Sequence, residues 1–564
     1  MKLVTADQMR QLEQRADKDG NTFANMMERA GKAVADAIAA RADVHTLRAL
    51  VLVGPGNNGG DGLVCARYLQ DAGARVVVYL GKRKADDSDA NLRLCRERGI
   101  PITDVKEDGD FAALRKAVGE SNVLVDALLG TGVTRPLEGT VRQVLITVKE
   151  ELGKRNVELT NLVPSNLARD IRTLYRPSSP LIVAVDLPSG LNPDTGALDS
   201  DTLAADLTVT FAFPKKGQLV FPGAGAVGEL TVADIGIPAK WAEADASEVA
   251  DARQVAALLP VRARDSHKGT FGKAMVCTGS TNYVGAAFLA GSAATRAGAG
   301  LVTLALARAI YPIVAGSSHE STFVVLPDDL GALVPDAVRV LSERLEGYDV
   351  LLIGCGFGRD PKTVEFVQRL LGIGAKPKAQ IGFSSAIEEK EKPGNLPPMV
   401  IDADALYALA QTDDWWTRLA PNAAVLTPHP GEMATLCRLP RDEVQADRIG
   451  VAKKFAAQWR QVVVLKGAFT VVAAPEGRVT ILPFATPALA TAGTGDVLAG
   501  TIVGMLAQGL EPFDAAVAGS YVHGLAGEIA QREIGSAGVI ASDLLPRLPQ
   551  AIRMTKDEGR TTAP

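Results

Sequence analysis

ALVLV (residues 49–53) runs straight into GPGNNGGDG (54–62). A short apolar run bounded by glycines reads as a buried strand, the stretch on to Gln70 as a helix, and Arg75–Leu80 as a second strand. Strand, glycine loop, helix, strand is the repeating unit of a doubly wound parallel sheet. Gly59, Gly60 and Gly62 strip side chains from the loop, so backbone could approach an anion at the N–H groups of a helix starting near Asp61. The loop matches neither GxGxxG nor the Walker pattern, so it specifies neither a redox dinucleotide site nor a P-loop. Alone, it reads equally well as a tight turn capped by Asp61.

Upstream, Thr5 and Gln8 have capping-box spacing, and Met9, Leu12 and Ala16 fall on one helix face. A second amphipathic helix covers about residues 25–40. Downstream, residues 122–128 run into LLGTGVTRP just after Asp126, and residues 181–185 run into DLPSGLNPDTG, which begins with Asp186. Ligands of open parallel sheets sit beyond the carboxyl ends of the strands, and three polar strand ends there exceed what packing requires. Residues 207–211 lead to FPKKG, and 228–235 read as a last strand. The charged stretch at 140–180 reads as a helical insertion.

From 237 to 266 the chain turns polar and alanine-rich, which places a domain boundary there and predicts domains over 1–240 and 250–555. A second α/β series follows, with strands at 271–277, 301–306, 350–353, 399–401, 424–426 and 462–465. Residues 372–397, rich in Lys, Glu, Gly and Pro, read as an exposed loop. At 564 residues the chain exceeds one hydrophobic core, in agreement with two domains.

Within that second series, ATPALATAGTGDVLAG (485–500) sets AGTGD at the start of an apolar helix, Val497 to about Leu510. The N–H groups of residues 492–495 would form an anion hole there, with Asp496 in the first turn aimed at the same place.

Composition narrows the partners. A net charge of -5 gives no electrostatic reason to expect nucleic acid or an anionic membrane. Five scattered cysteines without a CxxC pair argue for reduced thiols rather than a disulfide frame or zinc site. MKLVTADQMRQLEQR lacks the apolar core of a secretory signal, and no run of about 18 apolar residues occurs, so the expected compartment is the cytoplasm.

NNGGDG, DALLGTG and VDLPSG together resemble the YjeF N-terminal domain, the NAD(P)H-hydrate epimerase family, from TADQMRQLE to about residue 237. The resemblance implies a Rossmann-like fold and a potassium ion held by Asn58, Asp126 and Ser189, oxygen ligands suited to a hard cation. It implies substrate loops at Asn57, Asn58, Gly59, Gly60 and Asp61 and at Gly130, Thr131, Gly132, Val133, Thr134, Arg135 and Pro136, with Asp186 as acid/base. Residues 260–545 carry HKGTFG, GCGFG, DADAL, TPHPGE and VLKGAFTVV beside AGTGD, and resemble the ribokinase-like ADP-dependent NAD(P)H-hydrate dehydratases. Here the resemblance implies nucleotide contacts at Lys466, Gly467, Ala468, Phe469, Thr470 and Gly495, and substrate contacts at Ala286, Gly358 and His429. It makes Asp496 the catalytic base, with magnesium accompanying ADP and a homo-oligomeric assembly. Cys355 stands where proline is expected in the GxGxG turn, and without a basic neighbour before Arg359 it is not read as a nucleophile.

The implied chemistry is coherent. Hydrated cofactor carries a hydroxyl on a ring carbon beside nitrogen, whose lone pair can expel it to give a planar iminium open to water from either face. A carboxyl such as Asp186 can protonate the departing oxygen and deprotonate the incoming one. In the dehydratase, phosphorylating the hydroxyl turns a poor leaving group into a good one, so hydrate and ADP give NAD(P)H, AMP and phosphate. The competing reading is a ribokinase-like small-molecule kinase with a non-catalytic nucleotide-binding front domain.

Overall fold

A computed structural model describes all residues except 85–88, 133–135, 161–179, 243–246, 374–395 and 562–564. The chain divides into two compact units, Met1–Ala246 and Ser247–Pro564.

In the first unit, seven strands form one wholly parallel sheet: β1 Arg48–Val53, β2 Arg75–Leu80, β3 Ile102–Asp104, β4 Val123–Ala127, β5 Leu181–Val185, β6 Leu207–Phe211 and β7 Glu229–Ala233. Their order is β3-β2-β1-β4-β5-β6-β7, so the sheet reverses direction of growth between β1 and β4. That reversal is the topological switch point where doubly wound sheets open a crevice. The near-continuous apolar strands follow from burial on both faces. Ala49, Val51 and Val53 enter one hydrophobic cluster while Leu50 and Leu52 enter the other, the two-residue period of a strand. Thr5 caps the first helix, Ala6–Lys18, with Gln8 completing the capping box as its spacing predicts.

Some expectations shift. The helix after β1 spans Asn57–Asp71, so it begins four residues before Asp61, and Gly56 occupies its N-cap with no side-chain bond. Asp61 is therefore a buried residue of the first turns, not a cap. A helix does cover Gly139–Thr160, and the rest of the 140–180 stretch up to 179 lies outside the described residues. Most of the loop expected at 372–397 also lies outside them.

The second unit holds a ten-stranded sheet, together with a short separate pair, β12 Asp328–Asp329 and β13 Ala332–Leu333. The sheet comprises β8 Glu248–Val249, β9 Lys273–Cys277, β10 Leu301–Ala307, β11 Thr322–Leu326, β14 Val350–Ile353, β15 Met399–Ile401, β16 Ala424–Leu426, β17 Val462–Leu465, β18 Val471–Ala473 and β19 Val479–Ile481. Its order is β11-β10-β9-β14-β15-β16-β17-β18-β19-β8, parallel from β11 to β17 and then antiparallel through β18 and β19. The polar stretch that holds the domain boundary thus contributes a strand, because β8 pairs with β19.

Helix Thr494–Ala507 is buried nearly all round, which explains its lack of a polar face. Gly500 and Gly504 let it press onto helix Val284–Ala297: a Cβ at Gly500 would lie 2.2 Å from the Ala290 carbonyl. Its start is three residues earlier than the apolar run suggests, so Asp496 falls inside the first turn.

Candidate active sites

In the first unit, a cavity of about 520 Å³ opens at the switch point. Asn57, Asn58 and Asp61 from the β1 loop and helix, Gly130, Thr131 and Gly132 after β4, and Asp186 after β5 all line it. Val133, Thr134 and Arg135 lie outside the described residues, and Pro136 is exposed and absent from the lining. Gly59 and Gly60 serve packing instead of an open anion cradle: a Cβ on Gly59 would come 2.1 Å from the Gly54 carbonyl, and one on Gly60 2.6 Å from Met27.

Asp126 and Ser189 are locked together. The Ser189 hydroxyl donates to Asp126 Oδ1 at 2.7 Å, and its amide donates to Oδ2 at 2.8 Å. Ser189 Oγ also accepts from Leu129 N at 2.9 Å, while Asn58 Nδ2 donates to Leu129 O at 2.9 Å. These bonds draw Asn58, Asp126 and Ser189 around the Leu129 peptide. Asn58 Oδ1 is buried there without a hydrogen-bond partner, a costly state for a polar atom. Burial pushes the Asp126 carboxyl up, against the bonds from Ser189 and Leu128. An orphaned amide oxygen beside a buried carboxylate and a hydroxyl suits a hard monovalent cation.

Asp186 sits at φ +64, in the left-handed region. Its Oδ1 accepts from Lys215 Nζ at 2.6 Å and from Thr210 Oγ1 at 2.9 Å, and Gln218 Nε2 holds its carbonyl at 2.8 Å. Lys215 has only 1% of its side chain exposed, so this is a buried ion pair. Lys215 lies in the FPKKG motif, but two adjacent lysines gave no sign of which one turns inward. Glu13, from the first helix, lines the same cavity, and burial followed by Asp186 raises its carboxyl to about 7.

In the second unit, the chemistry-bearing side chains gather at the carboxyl ends of the central strands. Cys355 follows β14, Asp402 follows β15, Thr427 and His429 follow β16, and Lys466 follows β17. Asp402 is the hub. Its Oδ1 accepts from Lys466 Nζ at 2.7 Å and Thr427 Oγ1 at 2.6 Å, and the Cys355 thiol reaches its Oδ2 at 3.4 Å. Glu432 Oε2 stands 3.7 Å from the same ammonium. Ligand atoms of Cys355, Asp402 and Asp496 lie within 4.8 Å of one another. Burial, then the Asp402 charge, raises Asp496 to about 6. The same burial and both aspartates push the Cys355 thiol well up, which agrees with its reading as a non-nucleophile.

The glycine-rich helix start faces this cluster. Gly493 takes φ +88 as the N-cap, and a Cβ on Gly495 would lie 3.6 Å from Lys466 Nζ, which sets the ammonium beside the first turn. His523, buried under the same turn, bonds the Thr494 carbonyl at 2.9 Å, and burial lowers it to about 4.

His429 caps helix Pro430–Cys437: its Nδ1 accepts from Gly431 N at 3.0 Å and Glu432 N at 3.1 Å, and Glu432 returns a bond to the His429 amide. Its side chain is 57% exposed, and its Nε2 stands 3.5 Å from Glu432 Oε1. Gly358 N is held by Asp404 Oδ2 at 2.8 Å, and Ala286 packs against the loop bearing it: a Cβ on Gly356 would meet that of Ala286 at 2.7 Å. Gly467 and Ala468 are exposed, whereas Phe469 and Thr470 are partly buried. Arg448, absent from the sequence reading, buttresses that loop by donating to the carbonyls of Leu465 and Lys466 at 3.0 and 3.2 Å.

A switch-point crevice walled by carboxyls and a glycine-started helix facing a buried Lys–Asp hub define a two-domain α/β enzyme with one site per unit. Family models match both parts: YjeF-related protein N-terminus over residues 24–217, and NAD(P)H-hydrate dehydratase over 274–550. The bifunctional NAD(P)H-hydrate repair enzyme Nnr of Moorella thermoacetica is 39% identical over 100% of this chain and 98% of its own length. Its Escherichia coli counterpart is 32% identical over 99% and 96%. The chain belongs to the family of bifunctional NAD(P)H-hydrate repair enzymes. Among solved structures, it is similar to the ADP/ATP-dependent NAD(P)H-hydrate dehydratase of Bacillus subtilis co-crystallized with ATP/Mg2+, at 30% identity over 55% of this chain and 99% of that one (TM-score 0.45).

Proposed function

We propose that the first unit interconverts the R and S hydrates of NAD(P)H, and that the second dehydrates the S hydrate at the expense of ADP, yielding AMP and phosphate. The observation that carries this reading is Asp496, a half-buried carboxyl of raised proton affinity in the first turn of a helix whose Gly495 faces the Lys466 ammonium.

In the second unit, ionised Asp496 takes the proton of the ring hydroxyl, whose oxygen then attacks the terminal phosphoryl of ADP. Charge gathering on that phosphoryl meets the amides of Gly493–Gly495 and the ammonium of Lys466, which Asp402 keeps in place. Phosphate then departs, and loss of a ring proton restores the dihydronicotinamide. Glu432, whose carboxylate faces Lys466, would hold magnesium supplied with the nucleotide, and the ion would neutralise phosphate charge. Lys466 to Thr470 hold the nucleotide, while Ala286, Gly358 and His429 contact the hydrate.

In the first unit, Asp186 exchanges protons with the ring oxygen, and Lys215 with Thr210 fixes which carboxylate oxygen is free to do so. Asn58, Asp126 and Ser189 would hold potassium, which would supply the positive partner that the buried Asn58 Oδ1 lacks. Asn57, Asn58, Asp61, Gly130, Thr131 and Gly132, which line the cavity, contact the hydrated nucleotide. Five free cysteines support the cytoplasm as the compartment.

The test supplies each hydrate epimer separately with ADP or ATP and follows recovery of reduced-nicotinamide absorbance. Recovery from S requiring nucleotide, together with consumption of R, is the expected result. A stable phosphorylated product without recovery would establish the kinase reading instead.

A further inference from the structure

The crevice of the first unit carries more carboxyls than the single acid/base role of Asp186 uses. Glu13, Asp61 and Asp186 all line it. Lys215 is committed to Asp186 at 2.6 Å. Arg10, one turn before Glu13, is paired with Asp7 at 2.7 Å. Arg83 holds the carbonyls of Gly54 and Gly56 and the carboxylate of Asp89. Among the described residues, none donates a hydrogen bond to the carboxyl of Glu13 or of Asp61. Like charges that close cannot all persist in a partly desolvated cavity, so one proton is retained.

From this arrangement we infer that Glu13 is the second proton-transfer group of the epimerisation, sharing one mobile proton with Asp186. The inference rests on the reading of this cavity as the epimerase site. Asp61 is the less suitable partner. It is 9% exposed on the helix Asn57–Asp71, and burial, then Asp186 and Glu13, push its carboxyl well above its ordinary value, which favours the neutral acid over exchange. Glu13 is only partly buried, on a longer side chain reaching the cavity from another helix. Burial and Asp186 raise its carboxyl, against Lys215 and Arg10, to about 7, where it can both give and take a proton.

The step balances. Protonated Glu13 delivers its proton to the hydroxyl on the ring carbon, the C–O bond breaks, and water leaves. The nitrogen lone pair becomes the second bond of the iminium. Water adds to the opposite face, the C=N pair returns to nitrogen, and the surplus proton passes to Asp186. Epimerisation in the reverse sense follows the same steps with the two carboxyls exchanging roles. Cavity water carries the proton back between them.

The experiment uses the full chain bearing Glu13→Gln, Glu13→Asp or Asp186→Asn, and follows R and S hydrate interconversion by chromatography across pH. For the parent enzyme, both directions should slow as pH rises through about 7 and the shared proton is lost. Glu13→Gln should lower the rate by about 10²-fold or more and abolish that limb. Glu13→Asp should keep the limb and part of the rate. Dehydration of S hydrate with ADP should be unchanged in both Glu13 variants, and an unshifted thermal midpoint of the first unit in Glu13→Gln reports that this unit is folded. A parental rate in Glu13→Gln, or a residual rate with the limb intact, overturns the role of Glu13 while Asp186→Asn remains inactive. Full activity in Asp186→Asn as well overturns the epimerase reading itself.

Discussion

Lys466 Nζ and Asp402 Oδ1 lie 2.7 Å apart, with 17% and 2% of their side chains exposed. Burial alone would lower the Lys466 ammonium, yet Asp402 and Glu432 outweigh it and raise the group above its ordinary value. Removing one member strands the other charge in the interior. Lys466→Met should therefore destabilise the second unit by about 3–5 kcal/mol, and adding Asp402→Leu should recover part of that loss. Urea unfolding followed through Trp415, Trp416 and Trp459 checks both, and an unshifted midpoint in the single variant would refute the pairing.

Dehydration should fall on the acid side. Asp496 must be ionised to accept a proton, and its carboxyl is raised to about 6, so kcat should drop about tenfold per pH unit well below that value and level off above it. Asp402 contributes to that raised value, so Asp402→Asn should move the limb toward lower pH. Asp496→Asn should reduce kcat by about 10²–10⁴-fold. A pH–rate profile over pH 5–8 decides all three.

Much of this was legible beforehand, and the limits are instructive. Runs such as ALVLV identify buried parallel strands because both faces need apolar side chains, and AGTGD announces its helix start. Asp402 was visible only as part of DADAL, since nothing local reveals that β15 ends between Cys355 and Lys466. Arg448 and Glu13 act across long sequence separations, from helices whose own patterns look ordinary. The glycines at 59 and 60 misled in a different way: a bare backbone looks alike whether it faces a ligand or a neighbouring chain segment.

Potassium should stabilise the first unit. If Asn58 Oδ1 awaits a cation, its thermal midpoint should rise with KCl and not with tetramethylammonium chloride at equal ionic strength. Asn58→Leu should remove that difference. Calorimetry resolves the two cases, and equal responses to both salts would exclude the site.

The β1 and β4 loops touch with no room to spare. A Cβ on Gly54 would stand 1.7 Å from the Leu128 carbonyl. Gly54→Ala should cost about 1–3 kcal/mol by overpacking and shift the Leu129 peptide that Asn58 and Ser189 grip. Reduced epimerisation with unaltered dehydration is expected, and parental stability would contradict so close an approach.

Asp186 stands on a backbone twist that β-branched and bulky residues resist but Asp, Asn and Gly accept. The position thus imposes two filters at once. Glycine or asparagine could inherit the bend while surrendering the charge, and a longer acid could inherit the charge while straining the bend. Drift at this site has almost nowhere to go, so a relative that lost aspartate here would be expected to hold asparagine or glycine and to have become a silent copy of the same scaffold.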